Sequence, residues 1–323
     1  MISVIIPVGP FDLHIEKCLE ALYASSKSSL QVIVVFDGWN KHLPEPPNGW
    51  DLQSFSVTKR GPAACRNFGA HKSRNKYICF LDSDVEVHEG ALENGYYFIE
   101  SQNINGVIGS YDDSPEDEST VSKFRNLLHH FHHQQNHQQK GVFWGAFTII
   151  ERSAFNQVKG FDENYTKPSI EDIELGYRLH AEGFTVVINS ELLIKHKKKW
   201  TFLNMVYTDT YLRAKPWTIL LNNLKLWDYS ILNTNKKEKA SALLSLSIVT
   251  FSILSLVNLV FIPFAILAFL MFIAIQYKLY AFFKNKFPVH KLPLLFILHI
   301  TYFLSAIAGY TLGTLQIFTP ETR

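Results

Sequence analysis

Cysteine is scarce in this chain: three in 323 residues, Cys18, Cys65 and Cys79, in no CxxC spacing. That excludes a disulfide scaffold and a thiolate zinc module. Each cysteine lies in an apolar stretch, so buried, reduced thiols in a reducing compartment are expected. Net charge is equally small. A formal +2 gives no ground for a nucleic-acid partner. A basic leader is missing too: "MISVIIPV" has no positive start and is too short for a signal core, so no secretory leader is expected. Most telling is the lack of any charged residue from Ala240 to Tyr277.

As one helix that uncharged run would extend about 57 Å, nearly twice a hydrocarbon core of about 30 Å. It must turn back or break, and Asn258 and Pro263 lie near its middle. Two spans are therefore expected, 240–259 and 261–280, with a third at 292–316. Buried core helices are the alternative, and the lysines at the ends of the runs weigh against it. Lys236, Lys237 and Lys239 precede the first run, and Lys278, Lys284, Lys286 and Lys291 fill the loop before the last. Lysine-rich flanks belong on the cytoplasmic side. The expectation is a multi-pass inner-membrane protein with a cytoplasmic N-terminal domain and a short tail outside.

What is present before residue 200 reads as a soluble α/β domain. "SVIIPV" and "LQVIVVFDG" are near-continuous apolar runs rich in β-branched residues, as strands buried on both faces require. Between them, Leu13, Ile15, Leu19 and Leu22 recur at helical spacing behind Asp12, a possible cap. A strand–helix–strand unit implies a parallel sheet, and open α/β sheets bind ligands beyond the carboxyl ends of their strands. "KYICFLDSDVEV" is a further strand, preceded by the helical "GPAACRNFGAHKS".

Polar groups cluster at those strand ends. Asp37 follows "VIVVF", Asp82 and Asp84 follow "YICFL", and Arg66 and Asn67 lie on the helix before that strand. In an extended strand the two aspartates would point to one side. Carboxylates that close repel unless a cation joins them, and a hard ion such as Mg²⁺ or Mn²⁺ also takes phosphate oxygens. A solvated Asp-rich turn is the alternative. Further on, "KGFDENY" leads to "PSIEDIELGYRLHAEGF". Ser169 can cap a helix there, Leu175 and Leu179 face a core, and Glu174 and Arg178 form an i,i+4 pair. Glu171 and Asp172 occupy the first turn, where an acid can act as general base over a cleft. "FTVVINSELLIKH" then rises to Lys195 and His196.

The order "SVIIPV", "VVFDG", "GPAACRNFGA", "FLDSD", "GFDE" and "IEDIELGYRL" resembles family 2 glycosyltransferases of the GT-A fold, over roughly residues 1–200. The resemblance implies a nucleotide-diphosphate sugar donor, a divalent metal and inversion at the anomeric carbon. It implies that Asp37, with the backbone around Pro7 and Val8, holds the donor's base, most often uracil, and that Arg66 helps hold the nucleotide. Asp82 and Asp84 match the DxD pair, with Asp84 the more direct ligand. Asp172 matches the acid that deprotonates the acceptor, and His196 stands where some relatives place a further metal ligand.

Residues 201–239 mix lysines, aromatics and leucines and read as interfacial amphipathic helices, or else a solvated linker. Trp200 and Trp217 suit the headgroup level, Trp200 on the acceptor side. "KKKW" is a loose match to the QxxRW motif of processive synthases, since Gln and Arg are absent. A single transfer to a lipid or lipid-linked hydroxyl is therefore preferred. Transfer to polyprenyl phosphate, as in relatives of dolichyl-phosphate mannose synthase, and a non-catalytic scaffold are the alternatives. Five of the thirteen histidines fall in "HHFHHQQNH", 129–137. A metal site there lacks a converging ligand set, and a flap closing over the sugar is the preferred reading. Trp144, just beyond, is a candidate for stacking on a sugar ring, or an ordinary core residue.

Overall fold

In a computed structural model, residues 2–10, 12–58, 60–226 and 235–319 are described. Part of the 201–239 segment, residues 227–234, lies outside them. By internal contacts the chain divides into two units, residues 1–118 with 132–199, and residues 119–131 with 200–323.

Among the described residues the first unit has eight strands: β1 (Ile2–Val8), β2 (Gln31–Asp37), β3 (Asp51–Val57), β4 (Tyr77–Leu81), β5 (Val85–Val87), β6 (Gly106–Tyr111), β7 (Phe147–Glu151) and β8 (Val186–His196). Their order is β3-β2-β1-β4-β7-β6-β8-β5. Every residue of β1, β2 and β4 is buried, so these apolar runs have helix or loop on both faces. The helices are α1 (Ile15–Ser25), α2 (Pro62–Lys72), α3 (Ala91–Gln102), part of α4 (Thr120–Gln135), α5 (Arg152–Gln157) and α6 (Glu171–Ala181).

The sheet is mixed, and β1 and β2 pair in parallel as the strand–helix–strand unit implied. β7 lies antiparallel between β4 and β6, and β5 lies antiparallel to β8. Because β7 opposes both neighbours, β1, β2, β4, β6 and β8 still run the same way. Val8, Asp37, Asp82, Tyr111 and His196 therefore end or follow strands on one edge of the sheet. One local expectation also changes. Asp12 does not cap α1; it accepts from the His14 N–H one residue before the helix. At the start of α6 the Ser169 N–H donates to Glu171 Oε2 at 2.8 Å. The thiols of Cys18, Cys65 and Cys79 are buried, and burial is the main cause that raises each pKa, that of Cys65 to about 12.

The second unit gathers residues 120–131 of α4, α7 (Phe202–Tyr207), a π-helical stretch Thr208–Ala214, α8 (Lys215–Leu224), α9 (Lys236–Ser255), α10 (Ile262–Ile275), α11 (Tyr277–Lys286) and α12 (Leu292–Phe318). The sequence placed 119–131 with the soluble domain. Its apolar face, Phe124, Leu127, Leu128 and Phe131, instead shares a core with Phe272, Phe283 and Leu295. Among the described residues two helices, Lys236–Ser255 and Val289–Phe318, are long and apolar enough to cross a membrane. The expected second span is not straight. α10 and α11 meet at 74°, and α10 alone rises only about 21 Å. The bend falls at Gln276, which is buried and donates to Glu238 and Ser241 of α9.

Glycines set the packing of α12. A Cβ on Gly309 would lie 2.5 Å from Ala214 Cβ and from the Thr210 carbonyl oxygen, and one on Gly313 would lie 2.8 Å from the Lys215 carbonyl oxygen. This small-xxx-small seam lets the 208–218 backbone pack directly on α12. Nearby, Arg125 Nη2 donates to Asp209 Oδ1 at 2.5 Å, with both side chains buried. The guanidinium also lies over the Trp200 and Tyr302 rings. Trp200 is thus a core residue of this unit, not an exposed headgroup anchor. Removing one partner strands a buried charge, so Asp209→Ala is expected to cost about 3–5 kcal/mol. The double change Arg125→Met with Asp209→Leu should recover most of it. Thermal unfolding of the detergent-solubilised protein measures both.

Candidate active site

The acids at the common strand edge are separated by what holds them. Asp82 and Asp84 do not share an extended strand, because β4 ends at Leu81, β5 begins at Val85, and the aspartates flank the turn between. Asp82 Oδ1 accepts from Arg66 Nη2 at 2.7 Å. Asp84 Oδ2 instead lies 3.6 Å from His196 Nε2. The turn is fixed by main-chain bonds, Asp82 N–H to the Ala146 carbonyl and Lys197 N–H to the Asp84 carbonyl. The Ser83 hydroxyl donates to Asp12.

Arg66, expected to help hold the nucleotide, is only 4% exposed and committed to acids. Nη2 holds Asp82, and Nη1 donates to Glu171 Oε1 at 3.0 Å. The Phe161 ring lies 5.3 Å from its Cζ. Burial disfavours its charge, but Asp82 and Glu171 outweigh that and hold it firmly protonated. Helix α2 carries Arg66 to this point. It starts at Pro62, whose missing N–H costs nothing in a first turn, after Gly61 at φ 91°. Asp37 fixes that start: its carboxylate accepts from the Arg60 and Gly61 N–H groups at 2.7 and 3.2 Å. Pro7 and Val8 are buried at the end of β1. Asn67 clamps the GFDE segment, donating to the Phe161 carbonyl and accepting from the Phe161 N–H.

The two acids of α6 are in different surroundings. Glu171 is buried in its pair with Arg66. Asp172 is half-buried; its Oδ2 accepts from the Gly145 N–H at 3.1 Å and its Oδ1 from the Ile173 N–H at 2.8 Å. Leu175 and Leu179 are buried beneath, and Glu174 and Arg178 pair at 2.6 Å. Sequence reasoning missed Gly145. A Cβ there would stand 2.7 Å from Arg66 Nη2 and 2.9 Å from its Cζ, so only glycine lets the 144–146 loop meet both Arg66 and Asp172. Tyr111 was also missed, having no motif to mark it. Its ring stacks on His196 at 4.2 Å and meets Trp144 edge-on at 4.6 Å.

A cation fits the Asp84–His196 gap in chemistry. The separation is too long for a hydrogen bond, and a carboxylate with an imidazole is a donor set suited to Mn²⁺ and similar ions. Burial works against ionising Asp84, but the His196 imidazole beside it, then Lys198 and His14, lower its pKa to about 2. It is therefore a carboxylate at any working pH. Among the described residues no group of three or more His, Cys, Asp or Glu is placed to hold a metal. Protein ligands alone would leave several positions of such an ion to other oxygens.

The histidine run disperses. In the first unit His133 meets Trp144 edge-on, and His137 Nδ1 lies 3.0 Å from Ser190 Oγ. In the second, His129 Nε2 lies 3.1 Å from Arg213 Nη1 and His130 stacks on Phe282. Residues 137–140 are not a free flap. Gln138 N–H donates to the Ile188 carbonyl, Ile188 N–H to the Gln139 carbonyl, and Lys140 bridges to Val187.

Gly145→Ala should force Arg66 or the loop aside and cost about 1–3 kcal/mol. A denaturant titration of the full chain, read against wild type, tests this.

The description "Glycosyl transferase family 2" matches residues 3–159. Glycosyltransferase GlyG of Streptococcus pneumoniae serotype 4 is 26% identical over 117 residues, 34% of this chain and 39% of its own length. The minor teichoic acid biosynthesis protein GgaA of Bacillus subtilis is 29% identical over 122 residues, 33% of this chain and 27% of its own. The chain thus spans well under half of these relatives. The solved mannosyltransferase PcManGT from Pyrobaculum calidifontis, in complex with GDP-Man and Mn²⁺, aligns over 96% of this chain and 86% of its own, with a TM-score of 0.57 and 15% identity. That likeness shows the fold. Residues 3–159, just under half of the chain, thus resemble a glycosyl transferase family 2 domain, on a sheet of the GT-A fold followed by a helical region with apolar helices.

Proposed function

We propose that the chain is an inverting glycosyltransferase that moves a sugar from a nucleotide-diphosphate donor to a hydroxyl of a membrane lipid or lipid-linked acceptor. The observation that carries this is the contrast within the ED pair. Glu171 is neutralised by Arg66 and buried, whereas Asp172 is half-buried and oriented by two backbone N–H groups. Asp172 is thus the acid placed to take a proton from an acceptor hydroxyl. A phosphate acceptor is already ionised and needs no such base, so the arrangement favours a hydroxyl.

The chain's own residues divide the remaining work. Asp37 shapes the loop at the donor's base, next to Pro7 and Val8. Arg66 does not reach for the nucleotide; it keeps Asp82 and Glu171 in place. Asp84 and His196 would hold Mg²⁺ or Mn²⁺, and the mannosyltransferase of similar fold was solved with GDP-Man and Mn²⁺. When bound, the ion would offset the negative charge that grows on the departing diphosphate. Trp144 borders Gly145 and serves the acceptor side. Attachment rests on α9, α12 and the bent α10–α11 pair. The lysines at 236–239 and 278–291 set their ends, and the catalytic domain, at the cytoplasmic face of the cell membrane. The teichoic acid relative points to envelope polymers or glycolipids as the product class.

The test is a nucleotide-sugar panel with the purified chain, Mn²⁺ and total membrane lipid, with the product read by mass spectrometry. Asp172→Asn should lower kcat by about 10²–10⁴ and leave donor KM within a few fold. Full activity of that variant on a hydroxyl acceptor would sink the mechanism. Sugar appearing on polyprenyl phosphate alone would transfer the reading to a polyprenyl-phosphate glycosyl synthase. EDTA should abolish turnover and added Mn²⁺ restore it.

A further inference from the structure

Four rings form a continuous row along the strand edge. His196 lies flat on Tyr111, with centroids 4.2 Å apart and planes 12° apart. Tyr111 meets Trp144 at 4.6 Å and 77°, and Trp144 meets His133 at 4.6 Å and 89°. Tyr111 itself is buried at the end of β6, where its backbone pairs with Ile194, two residues before His196. One ring therefore touches both the imidazole facing Asp84 and the indole whose neighbour, Gly145, orients Asp172.

Geometry explains why a ring is needed there. An imidazole can rotate about its last torsion through a broad well, so covalent structure alone does not fix its plane. A flat neighbour at stacking distance does. The residues that orient a metal-binding histidine commonly act by hydrogen bonding to its second nitrogen. Here a parallel ring also limits rotation, by contact.

We propose that Tyr111 is a positioning residue: its ring sets the plane of the His196 imidazole so that Nε2 faces Asp84, and so tunes the affinity of the site for a divalent ion. This rests on the reading of Asp84 and His196 as the metal ligands. It predicts that the flat ring is what the metal site depends on.

The experiment titrates Mn²⁺ into the full chain at saturating UDP, or GDP where UDP does not bind, and reads free Mn²⁺ by electron paramagnetic resonance. Tyr111→Leu should weaken Mn²⁺ about tenfold or more, in line with other residues that support a ligand. Tyr111→Phe should stay within about twofold of wild type, since it keeps the ring. If the leucine variant does not fold, Tyr111→His replaces it, with a loss of about threefold expected from its smaller ring. A double-mutant cycle with His196→Ala separates positioning from folding. Once His196 is gone, loss of the 111 ring should bring no further loss of Mn²⁺. Wild-type affinity in Tyr111→Leu overturns the proposal. So does an equal loss in both backgrounds, which would make the ring a fold determinant only. If Asp84→Ala and His196→Ala both bind Mn²⁺ as wild type does, the metal reading itself has failed and this inference falls with it.

Discussion

The first unit depends on one buried charge. Arg66 sits beneath Phe161 with a carboxylate on each side, Asp82 and Glu171. Taking a guanidinium and a carboxylate out of water is costly, and such groups persist only when paired in good geometry. The pairing therefore constrains everything that touches it. Residue 145 must lack a side chain. Asp37 must hold the 60–61 backbone so that α2 starts where it does. Asp82 is drawn toward the helix, which leaves Asp84 as the aspartate that faces His196. The two acids of the DxD sequence thus have unequal positions because one arginine claims the first.

Topology supplies the second constraint. Inserting β7 antiparallel between β4 and β6 reverses the chain, so the residues before β7 arrive at the carboxyl edge of the parallel strands. Trp144, Gly145 and Ala146 reach the site this way, and the Ala146 carbonyl accepts from the Asp82 N–H. In a purely parallel sheet the segment before a strand would lie at the opposite edge. The mixed sheet is what lets a loop from residue 144 and a turn from residue 82 meet.

Much of this was legible in the sequence, and the rest was not for identifiable reasons. The apolar runs of β1 and β2, the helix behind Gly61–Pro62 and the acids at strand ends all follow from local patterns. The break between β4 and β5 does not, because "YICFLDSDVEV" is apolar enough to read as one strand. The separate destinations of Asp82 and Asp84 depend on Arg66 and His196, which only the tertiary fold brings near. Tyr111 carries no motif, and ring stacking leaves no mark in spacing. In the helical unit, hydropathy found the apolar run but not its direction. Gln276 bends it by donating to Glu238, a partner 38 residues earlier. The face of 119–131 reads as amphipathic, but which core it joins is a long-range fact.

Each unit contains a buried arginine under aromatic rings, yet the two have different consequences. Arg125 meets the carboxylate of Asp209 between Trp200 and Tyr302, and both charges are hidden. Nothing in that pair is left facing outward, so its effect is to hold α4, the 208–214 stretch and α12 together. Arg66 instead binds two acids that each have a second acid close by: buried Glu171 beside the more exposed Asp172, and Asp82 near Asp84, both half-buried. The member of each pair held by Arg66 fixes the backbone, and that backbone presents the other member at a set position. A charge pair that anchors its neighbours while leaving them partly open is suited to catalysis, because the reactive groups need not change place when substrate arrives. The proposed base and the proposed metal ligand thus share one origin, the guanidinium of Arg66, while their own contacts differ: Asp172 is held by Gly145 and Asp84 faces His196.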